Sequence, residues 1–153
     1  MKPAGQRGFT MIELLVVIAV AAMLLLTAVP SFVSVFVRTR VEGTGNELSA
    51  DLQNARSESV RRRAAVALTS NADGAGYTIV SGATTLKAVT FASGISITPS
   101  ISVNYDAMRA MANAAELTLS ASGGTSQLRV KTNVMGRVEM CSPGHTIRGY
   151  PAC

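Results

Sequence analysis

From Phe9 to Val37 the chain is apolar almost without interruption, and Glu13 is its one charged residue. The centre of the run, Leu14 to Leu26, holds only Leu, Val, Ile, Ala and Met. A helix needs about 20 apolar residues to cross a bilayer, so this run is predicted to span one. Lys2 and Arg7 precede it without an acidic neighbour. By the positive-inside rule that end stays cytoplasmic and the bulk of the chain is exported. After Val37 the pattern changes. Val41, Leu48, Leu52, Ala55 and Val66 recur at intervals of seven, four, three and eleven among many charged residues. That is an amphipathic helix with a narrow apolar stripe. One long helix is therefore predicted from Thr10 to Leu68, about 90 Å at 1.5 Å per residue, with its second half packing on a head. Two soft points are expected. Pro30 removes a helical hydrogen bond, and each glycine of Gly43-Thr44-Gly45 costs about 0.8–1 kcal/mol.

A turn cluster, Ser70 to Gly76, ends the helical pattern. Beyond it the chain alternates with the period of strands: Tyr77–Val80, Thr85–Phe91, Ile95–Ile97, Ile101–Tyr105, Glu116–Ser120, Gln127–Lys131 and Val134–Met140. Asp106 to Ala115 reads as a short helix or an insertion loop, and Gly123-Gly124 as a turn. The expected class is α+β, a long N-terminal helix packed on a small, mostly antiparallel sheet.

A length of 153 residues allows one domain and an appendage. Mean hydropathy is +0.31, high for a soluble chain of this size, and much of it sits in the first helix. The single histidine, His145, lies in a Pro-Gly turn, with no nucleophile–base–acid set around it. No glycine-rich phosphate loop comes after a strand. Neither an enzyme nor a metal or other cofactor is expected. Cys141 and Cys153 belong to no C-x-x-C pattern. In an oxidising compartment a disulfide between them is the expected state, the alternative being two free thiols.

A carboxylate inside a membrane-length run is a functional hypothesis by default. An ordinary signal peptide, cleaved near Ala19-Val20-Ala21, fits poorly, because Glu13 interrupts the apolar stretch and that stretch continues past Ala21. If the chain were cut after Gly8, the new Phe9 amine would lie one helical turn from Glu13. The amine of a neighbouring subunit would serve equally. The plain alternative is a glutamate that snorkels to the interface.

Gly8-Phe9-Thr10-Met11-Ile12-Glu13-Leu14-Leu15 resembles the class III leader junction of type IV pilins and pseudopilins. The resemblance implies cleavage between Gly8 and Phe9 by a prepilin peptidase and N-methylation of Phe9. It implies assembly roles for Glu13 and for Pro30, which matches the family's helical proline. Glu13 would pair with the Phe9 amine of an adjacent subunit, a contact that sets registry more than stability. The implied organisation is a cleaved leader (1–8), a hydrophobic transmembrane and assembly helix (9–37), an amphipathic continuation (38–68) and a periplasmic β head with a disulfide-closed tail (69–153). The implied location is the inner membrane, single-pass, and then the cell-surface pilus, with other minor and major pilins as partners.

The strands around Gly136-Arg137-Val138 and the ending from Cys141 to Cys153 resemble the GspH/FimT/FimU group. That implies a minor pilin, a low-copy subunit that helps prime or form the pilus tip in adhesion and twitching motility. One alternative is an H-type minor pseudopilin of type II secretion. The other is a FimT-like pilin that binds double-stranded DNA for uptake in natural transformation. Members with that activity carry a Gly-Arg-x-Arg motif, and here Glu139 replaces the second arginine. Arg129, Lys131, Arg137 and Arg148, with His145 nearby, are the candidate DNA contacts, and such contacts would be salt-sensitive. The alternative for them is a solvated basic face. Loss of Lys2 and Arg7 with the leader lowers the net charge from +5 to +3. Arg61-Arg62-Arg63 reads as a solvated helix face.

Overall fold

Helix α1 covers Met11–Arg62 in one continuous run of 52 residues. The computed structural model describes residues 9–122 and 125–153, with the side chains of all of these except 27–31. The chain divides into two units at the Phe36/Val37 boundary. In the first, the described side chains of 11–26 and 32–36 are exposed all round the helix, Met11 at 87%. Among the described residues no helix is long and apolar enough to cross a membrane. The span expected over 9–37 includes 27–31, whose side chains lie outside the description, as does Gly8.

In the second unit the expected stripe is buried: Val41, Leu48, Leu52 and Ala55 all enter the core. Gly45 lies on the same face. A Cβ at Gly45 would fall on Leu128 Cδ2, whereas a Cβ at Gly43 would meet nothing within 4 Å. Only one glycine of the expected soft point is thus explained by packing. Gly43→Ala is expected to stabilise the fold by about 0.8–1 kcal/mol through helix propensity. Gly45→Ala gains the same propensity but overpacks the helix against Leu128, and a net loss of about 1–2 kcal/mol is expected. Unfolding of the detergent-solubilised variants compares the two; a stabilising Gly45→Ala would refute the close-approach account.

The helix ends at Arg62, not at Leu68. Ala64 N–H donates to Ser59 O and Arg63 N–H to Val60 O, each at 3.2 Å, while Arg63 takes φ +52°. This is the paired-bond helix stop that usually employs glycine. The next residues form strand β1, Val66–Ser70, with Val66, Leu68 and Ser70 facing the core. Two residues apart, Val66 and Leu68 share a face only in a strand; on a helix they would point about 200° apart. The remaining strands are β2 (Gly76–Ser81), β3 (Thr84–Thr90), β4 (Ile95–Thr98), β5 (Ser102–Tyr105), β6 (Ala115–Ala121), β7 (Gln127–Thr132) and β8 (Val138–Cys141).

Instead of one sheet there are two, each of four antiparallel strands, in the orders β3-β2-β1-β5 and β4-β6-β7-β8. After β3 the chain steps to the second sheet, back for β5, and away again for β6. Inward residues of both sheets, such as Leu68, Tyr77 and Val103 from one and Ile97, Leu119 and Leu128 from the other, join the helix stripe in a single core. The segment from Asp106 to Ala114 is a loop. Strand β8 starts at Val138 rather than Val134, because Asn133 to Gly136 is a turn. There the Asn133 side-chain oxygen accepts the N–H groups of Met135 and Arg137 at 3.0 and 2.9 Å, and Gly136 takes φ +71°.

Candidate assembly segment and head surface

The start of α1 is capped from within the candidate processing motif. Thr10 Oγ1 accepts the Glu13 N–H at 3.3 Å, and Thr10 O accepts the Leu14 N–H at 3.2 Å. Thr10 and Glu13 thus have the Thr-x-x-Glu spacing of a capping box, and a carboxylate in a first helical turn also complements the helix dipole. This local role was readable from the spacing but was obscured by the longer apolar run. Phe9 and Glu13 are exposed, as are the apolar residues after them. A helix apolar on all sides is normally covered, by other helices or by lipid. Pro30 lies within α1, with its side chain outside the description.

The four basic residues expected to form a cluster are placed by β7, the turn before β8, and the tail. Arg129 Nη1 and Lys131 Nζ both reach Glu116, each at 3.1 Å, and Arg137 Nε meets Glu139 at 3.2 Å. Cross-strand register makes this so, since Glu116, Lys131 and Glu139 lie opposite one another on β6, β7 and β8. The Lys131 ammonium, aided by Arg129, holds the Glu116 carboxyl below its ordinary range. Three of the four cations therefore sit in a strip of alternating charge instead of an unopposed basic track. Arg148 is exposed, and its carbonyl accepts from Arg38 Nη2 at 2.6 Å. His145 is exposed in the short 3-10 turn Pro143–His145. On α1, Arg61 and Arg62 both pair with Glu58, at 2.7 and 2.6 Å, on a largely solvated face.

Cys141 and Cys153 are joined by a disulfide with a Cα separation of 4.9 Å. The enclosed tail is tied down at several points. Ser142 N–H donates to Pro151 O at 2.8 Å, the Ser142 hydroxyl accepts the Ile147 N–H at 3.0 Å, and Ile147 is fully buried in the core. The bond from Arg38 to Arg148 attaches the tail to α1.

A buried polar cluster couples α1 to the first sheet. Asp51 is only 5% exposed. Its Oδ2 accepts from the Tyr77 hydroxyl and from Lys87 Nζ, both at 2.6 Å, and Lys87 also reaches Glu47 at 3.1 Å. Burial, then the Asp51 carboxylate, pushes the Tyr77 phenol far above its ordinary range. Lys87 is raised chiefly by its bond to Asp51. The signal for Asp51 was in the sequence: it lies three residues after Leu48 and four before Ala55, on the apolar face. Among the described residues no group of three or more His, Cys, Asp or Glu could hold a metal ion.

A capped apolar helix that starts just after Phe9 and a two-sheet antiparallel head with a disulfide-closed tail are the features of the pilin class of subunits. The chain belongs to the family described as type II transport protein GspH, which matches residues 44–145. The prokaryotic N-terminal methylation motif matches residues 3–29. In fold the chain is similar to the type IV minor pilin FimU of Pseudomonas aeruginosa PAO1. One crystal form superposes with TM-score 0.58 and 21% identity over 72% of this chain and 97% of that one. A second form gives 0.55 and 19% over 69% and 99%. No curated protein sequence matches the chain.

Proposed function

We propose that this chain is a minor type IV pilin, a low-copy subunit that helps prime or form the pilus tip. Its leader is removed between Gly8 and Phe9 by a prepilin peptidase, and the new Phe9 amine is methylated. The helix holds the subunit in the inner membrane until assembly, and the head lies in the periplasm. In the filament the apolar helix packs among those of other minor and major pilins. The chain acts as a building block, and the chemistry of its maturation belongs to the peptidase. The observation that carries this reading is the apolar surface exposed all round α1 over the described side chains of 11–26 and 32–36, close behind Phe9. Such a surface needs lipid or other helices to cover it.

Glu13→Gln separates assembly from capping. Glutamine serves at the third position of a capping box as glutamate does, but it cannot form an ion pair with a neighbour's amine. The variant is expected to be processed normally and to be depleted about tenfold or more from sheared filaments on immunoblots, consistent with losing one partner of a buried charge pair. Normal incorporation of Glu13→Gln would remove the ion-pair role.

The family description favours a second reading, an H-type minor pseudopilin of type II secretion. Deleting the gene would then block release of exported proteins and leave piliation intact. DNA uptake draws no comparable support, because Glu116 and Glu139 occupy three of the four cations it would use.

A further inference from the structure

Beside the second half of α1, where it faces the turn before β8, lies an open cavity of about 630 Å³. Arg56 and Arg137 line it, with Gln53, Ser57, Val60 and Gly136, and no carboxylate is among its lining residues. Arg137 has Glu139 at 3.2 Å, outside this cavity. Arg56 is half-buried, and among the described residues no carboxylate pairs with it. It lies tight against the turn, since a Cβ at Gly136 would sit 3.0 Å from Arg56 Nε and 2.6 Å from Ala110 O. Gly136, at φ +71°, thereby leaves the guanidinium room.

A half-buried guanidinium with no counter-ion, opening onto a cavity whose lining holds no carboxylate, is an arrangement that an incoming carboxylate would complete. Val60, Ala110 and Val138 form the apolar part of the lining.

We propose that this cavity receives an acidic side chain, flanked by apolar residues, from the head of a neighbouring pilin subunit. The carboxylate would sit on Arg56 and its apolar neighbours on Val60, Ala110 and Val138. One unpaired guanidinium beside Val60, Ala110 and Val138 matches a single carboxylate flanked by apolar side chains better than a phosphodiester chain, which needs a track of cations. The partner's being a pilin rests on the subunit reading above; the chemistry of the site does not.

The test places a photo-crosslinking residue at Ser57 of the full-length chain in cells that assemble the filament. After irradiation, sheared filaments are analysed by mass spectrometry. The expected adduct is to a head segment of another pilin that contains Asp or Glu. Arg56→Met is expected to reduce that adduct about tenfold or more, as for a lost partner in a buried interfacial charge pair. Gln53→Trp alters an exposed residue and fills the cavity without touching the core, and it is expected to do the same. Arg148→Met, outside the cavity, is expected to leave the adduct unchanged. An adduct indifferent to Arg56→Met and Gln53→Trp, one to a segment without carboxylates, or one to nucleic acid would overturn the proposal. So would a chain present in filaments with no adduct, and in that case the subunit reading stands. A chain absent from filaments overturns both.

Discussion

Asp51→Ala is expected to lower the stability of the head by about 3 kcal/mol, the largest single-residue effect anticipated in this chain. The substitution deletes a carboxylate that accepts from both Tyr77 and Lys87. It strands the Tyr77 hydroxyl inside the core, and an unsatisfied buried donor alone costs about 1–3 kcal/mol. Lys87 contributes less, because its side chain is 42% exposed and can return to water. Tyr77→Phe in the Asp51→Ala background removes the stranded hydroxyl and should recover part of the loss. Chemical unfolding of the four chains measures the coupling; strictly additive losses would show that Asp51 and Tyr77 act independently. The cluster also carries an alkaline signature. Tyr77 and Lys87 both have pKa values raised in the folded state, from 10.0 and 10.5. The folded chain therefore keeps protons that the unfolded chain releases above about pH 10. Their contribution is complete below that pH and is lost as the pH rises further. The decline should be shallower in Asp51→Asn, which removes the charge responsible for part of both shifts.

Replacing Cys141 and Cys153 together by serine is expected to cost roughly 3 kcal/mol in the chain-entropy description of a loop this short. For a head of this size that corresponds to a fall in Tm on the order of 10 °C. The loss should be local at first. Ile147 is fully buried, and the segment that carries it is held by the Ser142 bonds and by Arg38. Without the disulfide, the last residues can fray before the sheets open. Hydrogen exchange should rise earliest at the Ile147 amide, with the β6–β7 ladder protected for longer. Unchanged exchange at Ile147 in the double variant would mean that packing alone holds the tail.

Much of the molecule could be read from local pattern. The apolar run marked the first half of α1, the intervals among Val41, Leu48, Leu52 and Ala55 marked the buried face of the second, and alternation located seven of the eight strands among the described residues. These features depend on periodicity over a few residues, and a periodic pattern survives without knowledge of its partners. The strand at 66–70 was hidden because Val66 also extends the helical series, and only pairing with β2 and β5 resolves the two. The left-handed stop at Arg63 had no glycine to announce it.

The head surface was the least readable part. Arg129, Lys131 and Arg137 are close in sequence and looked like a basic cluster. Strand register sets Glu116 and Glu139 against them, and register is a property of two strands together. The same holds for Asp51, whose partners lie 26 and 36 residues away, and for Arg56, whose importance lies in what does not face it. The sequence alone establishes most of the helix, strand and turn segments, and which residues could carry charge or thiol chemistry, because these are largely local properties. Folding decides which charges cancel, which glycine is filled by a neighbour, and which cation is left for a partner, because those depend on contacts between residues far apart in the chain.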